Sequence, residues 1–213
     1  LLKDKKLFKI PLPIDFNFWK PLDKTISRKN LDLPVDKKII LIGAENLRYK
    51  RKGFNLIKDI FSDIIKNDKI LVIFGKISRE YFKGLDVSKI KFLNEVKSNT
   101  LDLKSIYSAS DLFIAPSIQE SFGQTVLEAA SCCLPSICFE KNGISEIIDH
   151  KINGYVAKYQ NIEDFKSGIN WCLDNLNTNK MNERLEILKN KFSMEKIGGQ
   201  YKSLYFDILN NNN

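Results

Sequence analysis

A doubly wound α/β domain, a parallel sheet with helices on both faces, is predicted by two patterns in the sequence. Short, nearly continuous apolar runs rich in β-branched residues recur along the chain, as strands covered on both faces must be. Between them lie longer stretches whose apolar residues repeat with the helical period. Strand and helix in alternation give a parallel sheet. Composition agrees: 213 residues, 43% hydrophobic and 28% charged, can bury the core of one large domain or two small ones.

The strands are expected at 38–43, 70–75, 90–93, 111–115 and 136–139, with a weaker one at 154–157. After the first strand, Phe54, Leu56, Ile57, Ile60, Phe61, Ile64 and Ile65 form a helical stripe, with Lys58, Asp59, Ser62 and Asp63 on the other side. Further helices are expected near 100–109, 122–132, 144–149, 162–176, 181–190 and 194–209. Gly198-Gly199 falls in the last of these and reads as a weak spot or break. Pro11, Pro13, Pro21 and Pro34 punctuate the start, so residues 1–36 read as a linker segment with only short regular pieces. The domain proper is placed at 37–209, and 210–213 is a polar tail. The chain begins with Leu1 rather than methionine, so a piece of a longer protein is expected.

Lys and Arg number 34 against 26 Asp and Glu, a net charge of +8. This excess favours anionic partners such as phosphates, nucleic acid or an acidic membrane face. Lysine dominates it and is scattered. No zinc-finger, RNP or basic-helix signature is present, so nucleic acid is not expected as a partner. No secretory signal and no run of the ~20 apolar residues needed to span a bilayer is found. Cys132, Cys133, Cys138 and Cys172 show no metal-ligand spacing, and their apolar surroundings predict buried free thiols in a reducing, cytoplasmic setting. A nucleophilic triad would have to use His150, and nothing near it supports one.

Ligands of such sheets bind beyond the C-terminal ends of the strands. Phe74-Gly75-Lys76-Ile77-Ser78 fails as a phosphate loop, because Ile77 follows the lysine and the earlier glycine is missing. No G-x-G-x-x-G follows a strand, and no Asp-x-Asp pair is present to hold a metal-bound nucleotide. The turn after the 111–115 strand is different. Ser121 with Gln124 three residues on is a capping-box pattern, so a helix is expected from near Ser121, its free N–H groups forming an anion site. Gly123 would let a ligand approach the backbone. Glu120 precedes the helix and Glu128 lies about two turns in, ~10 Å along its axis. An anion held at the helix start would then have one carboxylate on each side, each an acceptor for hydroxyl groups.

These residues resemble the C-terminal domain of family-4 glycosyltransferases, enzymes of the GT-B architecture with two Rossmann-like domains. The resemblance rests on Tyr107, Asp111, Pro116-Ser117, Glu120, Phe122-Gly123, Glu128-Ala129 and Pro135 in the family's spacing. Ile10-Pro11-Leu12-Pro13-Ile14-Asp15, Arg51-Lys52-Gly53, Gly143-Ile144-Ser145-Glu146 and Asn153-Gly154-Tyr155 add to it, in the right order over about residues 10–209. It implies a metal-independent, retaining hexosyl transfer to a glycan or lipid-linked acceptor, with a nucleotide sugar of UDP or GDP type as substrate and no cofactor. It implies that Glu120 meets the donor sugar, that Glu128 takes the ribose, and that Lys52 neutralises the diphosphate. Phe122, Gly123, Gln124 and Thr125, with Ser121 beside them, would cradle the distal phosphate and sugar, and Val96 would lie near the base. The family arginine after the first strand is replaced by Ala44-Glu45, leaving Arg48 or Arg51 to supply the second positive charge. Cys133, Asn142, Ser145 and Asn94 also depart from the pattern.

On this resemblance the acceptor is handled by a second domain outside the chain, at the cytoplasm or the inner membrane face, and the fragment alone is expected to be inactive. A non-catalytic nucleotide-binding module and a basic nucleic-acid-binding domain are the alternatives.

Overall fold

The computed structural model describes residues 6–65, 68–176 and 178–210. In chain order the elements are α1 (Lys24–Asn30), β1 (Lys38–Asn46), α2 (Phe54–Ile57), α3 (Phe61–Ile64), β2 (Lys69–Lys76), β3 (Ile90–Phe92), α4 (Leu101–Ala109), β4 (Leu112–Ala115), α5 (Gln124–Ser131), β5 (Ser136–Phe139), β6 (Gly154–Ala157), α6 (Ile162–Asn175), α7 (Thr178–Phe192) and α8 (Met194–Asn210). All six strands pair in parallel in one sheet, in the order β3-β2-β1-β4-β5-β6. The expected doubly wound architecture is present.

The strands are apolar throughout because both faces are covered. Ile39 and Leu41 of β1 face a core built with Tyr107 of α4 and Val126, Leu127 and Ala130 of α5. Ile40 and Ile42 face the opposite core, with Phe54, Phe61 and Phe165. Successive strand residues point to opposite faces, so one run serves both layers. All four cysteines are buried free thiols.

Three expectations need correcting. The helix expected over 54–65 is broken by a 3₁₀ turn at Lys58–Ile60. The buried residues Phe54, Ile57 and Ile60 recur every three positions, which suits three residues per turn. The helix expected over 144–149 shrinks to a 3₁₀ turn, Gly143–Glu146. Asn142 holds it, donating to the Ser117 and Phe139 carbonyls, both at 3.0 Å, and accepting from Ile144 N–H at 2.9 Å. Gly198-Gly199 does not break α8. Ahead of the first strand, Ile14, Trp19 and Leu33 sit in the core cluster with α4 and α5. Residues 211–213 of the expected tail lie outside the described residues.

Asp111, part of the family pattern, ties α1 to the sheet. Its Oδ2 accepts from Arg28 Nη2 at 2.7 Å and from Ile39 N–H at 2.6 Å, while Arg28 Nε donates to the Ala109 carbonyl at 2.9 Å. No described helix is long and apolar enough to cross a membrane.

The strand order reverses between β1 and β4, which are neighbours although α2, α3, β2, β3 and α4 lie between them in the chain. The chain leaves this point in two directions, so the loops after β1 and β4 diverge and leave a crevice at the sheet's C-terminal edge. Those two loops carry Arg51-Lys52 and Glu120.

Candidate functional site at the sheet edge

The two loops are joined by their backbones. Ile118 and Gln119 N–H groups both donate to the Arg51 carbonyl, at 2.9 and 3.4 Å. Gly53 closes the β1 loop in the left-handed region, φ 68°, and a side chain there would stand 1.8 Å from the Pro116 carbonyl oxygen. Gly53→Ala is therefore expected to cost about 1–2 kcal/mol in a denaturant melt, by strain and by prising the loops apart. An unchanged midpoint would contradict that tight junction.

The junction brings Lys52 and Glu120 together. Lys52 Nζ donates to Glu120 Oε2 at 2.5 Å, and Arg51 Nη1 is 3.5 Å from the same oxygen. The Lys52 and Glu120 side chains are 18% and 16% exposed. Lys52, Glu120 and Thr125 line one small pocket with Gly43, Ser117 and Ile144. Of the two arginines left open by sequence, Arg51 is at the site. Arg48 instead bonds to Asn46 within its own loop.

Helix α5 starts at Gln124, not Ser121, which corrects the capping-box reading. Gly123 is the N-cap with φ 96°, and no side chain caps the helix. A Cβ at Gly123 would meet Ile144 at 2.6 Å, while Gly143 N–H bonds the Glu120 carbonyl at 2.8 Å. Ser121 and Phe122 are thus held against the 142–144 turn and cannot wind into the helix. Phe122 instead packs its ring on Phe192, centroids 5.5 Å apart. The consequence matters for binding. An uncapped helix start leaves its first N–H groups for a ligand, and the helix dipole favours an anion there.

Glu128 and Val96 are not in that pocket. Glu128 is only 4% exposed and accepts a hydrogen bond from Tyr107 Oη at 3.0 Å on Oε2. Among the described residues no partner is found for its Oε1. Burial pushes its carboxyl up to about 7, partly offset by the Tyr107 bond. Burial, and then the neighbouring Glu128 charge, push the Tyr107 phenol well above its usual range. Tyr107 was not singled out as a site residue from the sequence, although it lies in the family pattern. The signal was an alternation conflict, a carboxylate set among Val126, Leu127, Ala129 and Ala130. Such a group must find a buried donor. Val96 lies on the loop after β3, packed against the same core cluster as Tyr107.

Two departures from the family pattern show in the backbone. Asn94 and Cys133 replace glycines, and both adopt positive φ, 55° and 57°. Among the described residues no three His, Cys, Asp or Glu side chains cluster as metal ligands would. A larger groove between Phe8–Ile10 and α8 shares no lining residue with the pocket at the sheet edge.

A doubly wound α/β domain with paired cations and an uncapped helix at its switch point defines a class of anion-binding, nucleotide-type folds. The sequence narrows this further: the glycosyl transferases group 1 family model matches residues 23–189, and the chain belongs to that family. It is 28% identical over 204 residues to N-acetyl-alpha-D-glucosaminyl L-malate synthase of Bacillus anthracis, covering 92% of this chain and 52% of that protein. The chain spans about half the length of the curated relatives it matches. Its fold superposes on a glycosyltransferase from Rickettsia africae with a TM-score of 0.83 at 22% identity, covering 98% of this chain and 59% of the other. Anabaena HepE, solved in complex with UDP-glucose, matches with a TM-score of 0.75 at 19% identity over 92% of this chain and 56% of its own. The fold is thus the Rossmann-like one expected of the C-terminal half of a GT-B enzyme.

Proposed function

We propose that the chain is the donor-binding half of a retaining glycosyltransferase, and that it holds a nucleotide sugar for hexosyl transfer to a glycan or lipid-linked acceptor. The observation that carries this reading is the convergence of Lys52, Arg51 and Glu120 on the crevice between β1 and β4, beside the uncapped start of α5. Expulsion of a nucleoside diphosphate builds negative charge on the leaving group. Two cations and a row of free N–H groups aimed at one place stabilise that charge. In this reading Glu120 accepts from the sugar hydroxyls, Glu128 Oε1 accepts from the ribose, and Val96 borders the base. HepE is a fold relative solved with UDP-glucose, which supports a nucleotide sugar as the ligand class.

A thermal-shift panel of UDP, GDP, ADP and their sugars tests the reading. At least one nucleotide is expected to raise the melting temperature, since a ligand at 100 times its Kd stabilises by about 2.7 kcal/mol. No shift with any of them, together with salt-dependent retention of plain DNA or RNA, would favour a nucleic-acid-binding domain instead.

Binding should also depend on pH. Glu128 must be ionised to accept strongly from a ribose, yet in the free protein burial holds its carboxyl at about 7. In the free chain this raised value costs stability as pH rises from the ordinary carboxylate range through 7. Ligand binding favours the ion, so affinity rises over the same span. For a nucleotide sugar, whose phosphodiester groups do not titrate here, Kd should fall about tenfold from pH 6 to pH 8. Glu128→Gln should flatten the profile. An equally steep profile in that variant would place the titrating group elsewhere.

A further inference from the structure

We infer that Glu120 is a built-in competitor for Lys52, which makes the site favour a sugar-bearing nucleotide over the bare nucleoside diphosphate. The inference rests on the donor-site reading above. Glu120 Oε2 accepts from Lys52 Nζ at 2.5 Å and lies 3.5 Å from Arg51 Nη1, so one carboxylate oxygen faces both loop cations. The backbones that carry the pair are fixed by the fold. The Arg51 carbonyl is bonded by Ile118 and Gln119, Glu120's own carbonyl is bonded by Gly143, and both side chains are more than four-fifths covered. A diphosphate that approaches Lys52 competes with this carboxylate for the amine.

The two ligands differ in what they offer the displaced group. A nucleotide sugar brings hydroxyl donors, so Glu120 exchanges one charge-assisted partner for others. A bare diphosphate brings no donor and an additional negative charge, which leaves Glu120 partly buried beside a like charge. Binding selectivity is the difference between the two affinities, and a repulsive element against the wrong ligand contributes to it directly. After transfer, the same carboxylate is at hand to reclaim Lys52 and expel the product.

Calorimetric titration with UDP, UDP-glucose, GDP and GDP-glucose tests this on the wild type, Glu120→Gln and Glu120→Ala. Both variants are expected to bind the bare diphosphate about tenfold more tightly than the wild type. Their affinity for the matching nucleotide sugar should change less than threefold. The gain should vanish when Lys52→Met is added, because the competition is for that amine. Wild-type binding that is measurable, with neither variant tighter for the diphosphate, would overturn the inference while leaving the donor-site reading standing. No binding of any nucleotide to any of the proteins would overturn the donor-site reading and the inference with it.

Discussion

Glu120→Gln, made in a chain carrying both halves of the proposed enzyme, is expected to lower turnover by about 10²-fold or more. That is the scale for losing a preorganised group that acts on charge developing in the transition state. Glu120 stands at the crevice, 2.5 Å from the amine of Lys52, the cation proposed to meet the leaving diphosphate. The amide keeps the shape and removes the charge. Part of the loss should appear as stronger inhibition by the diphosphate product, since the variant no longer competes for Lys52. Steady-state rates with and without added diphosphate separate the two components. Turnover within threefold of wild type would show that Glu120 serves the ion pair alone.

The second large effect belongs to Glu128. Glu128→Ala is expected to weaken nucleoside diphosphate binding by roughly one to two decades. Hydrogen bonds to a charged acceptor contribute about 1.5–3 kcal/mol each, and solvent competition reduces what is measured. Tyr107 occupies Oε2, so the ribose has Oε1 to use. The substitution also strips the fully buried Tyr107 hydroxyl of its partner, and stability should fall together with affinity. Glu128→Gln keeps a partner for Tyr107 and separates the two effects: it should fold like wild type and still bind less well. If Glu128→Ala binds like wild type, the ribose assignment fails and the carboxylate is a structural group.

Much of this was legible in the sequence, and for a reason. Two-faced burial leaves continuous apolar runs such as Ile39–Ile42, and they locate the strands without any knowledge of their neighbours. Glu120 and Gly123 drew attention because loops at the C-terminal edge of a parallel sheet carry the chemistry, and Lys52 because Arg51-Lys52-Gly53 resembles a family loop. The start of α5 was misread because capping-box spacing is local. The left-handed Gly123 and the Asn142 turn that pins Ser121 come from a strand and loop about 20 residues on. Trp19 was missed as a core residue because its Pro-rich context hides a single long-range anchor, packed against Tyr107 with centroids 5.8 Å apart. The Lys52–Glu120 pair spans 68 positions and depends on which strands are neighbours, and no periodicity encodes that. The burial of Glu128 follows from the closeness of α4, which also becomes visible only once the helices are packed.

The central claim is that a nucleoside diphosphate binds at the start of α5. A crystal structure of the chain with UDP or GDP measures this most directly. The diphosphate is predicted over the N–H groups of residues 122–125, within hydrogen-bond reach of Lys52 Nζ, with the Lys52–Glu120 bond opened and the ribose hydroxyls toward Glu128. A nucleotide seated in the groove between Phe8–Ile10 and α8, with Lys52 still bonded to Glu120, would contradict it.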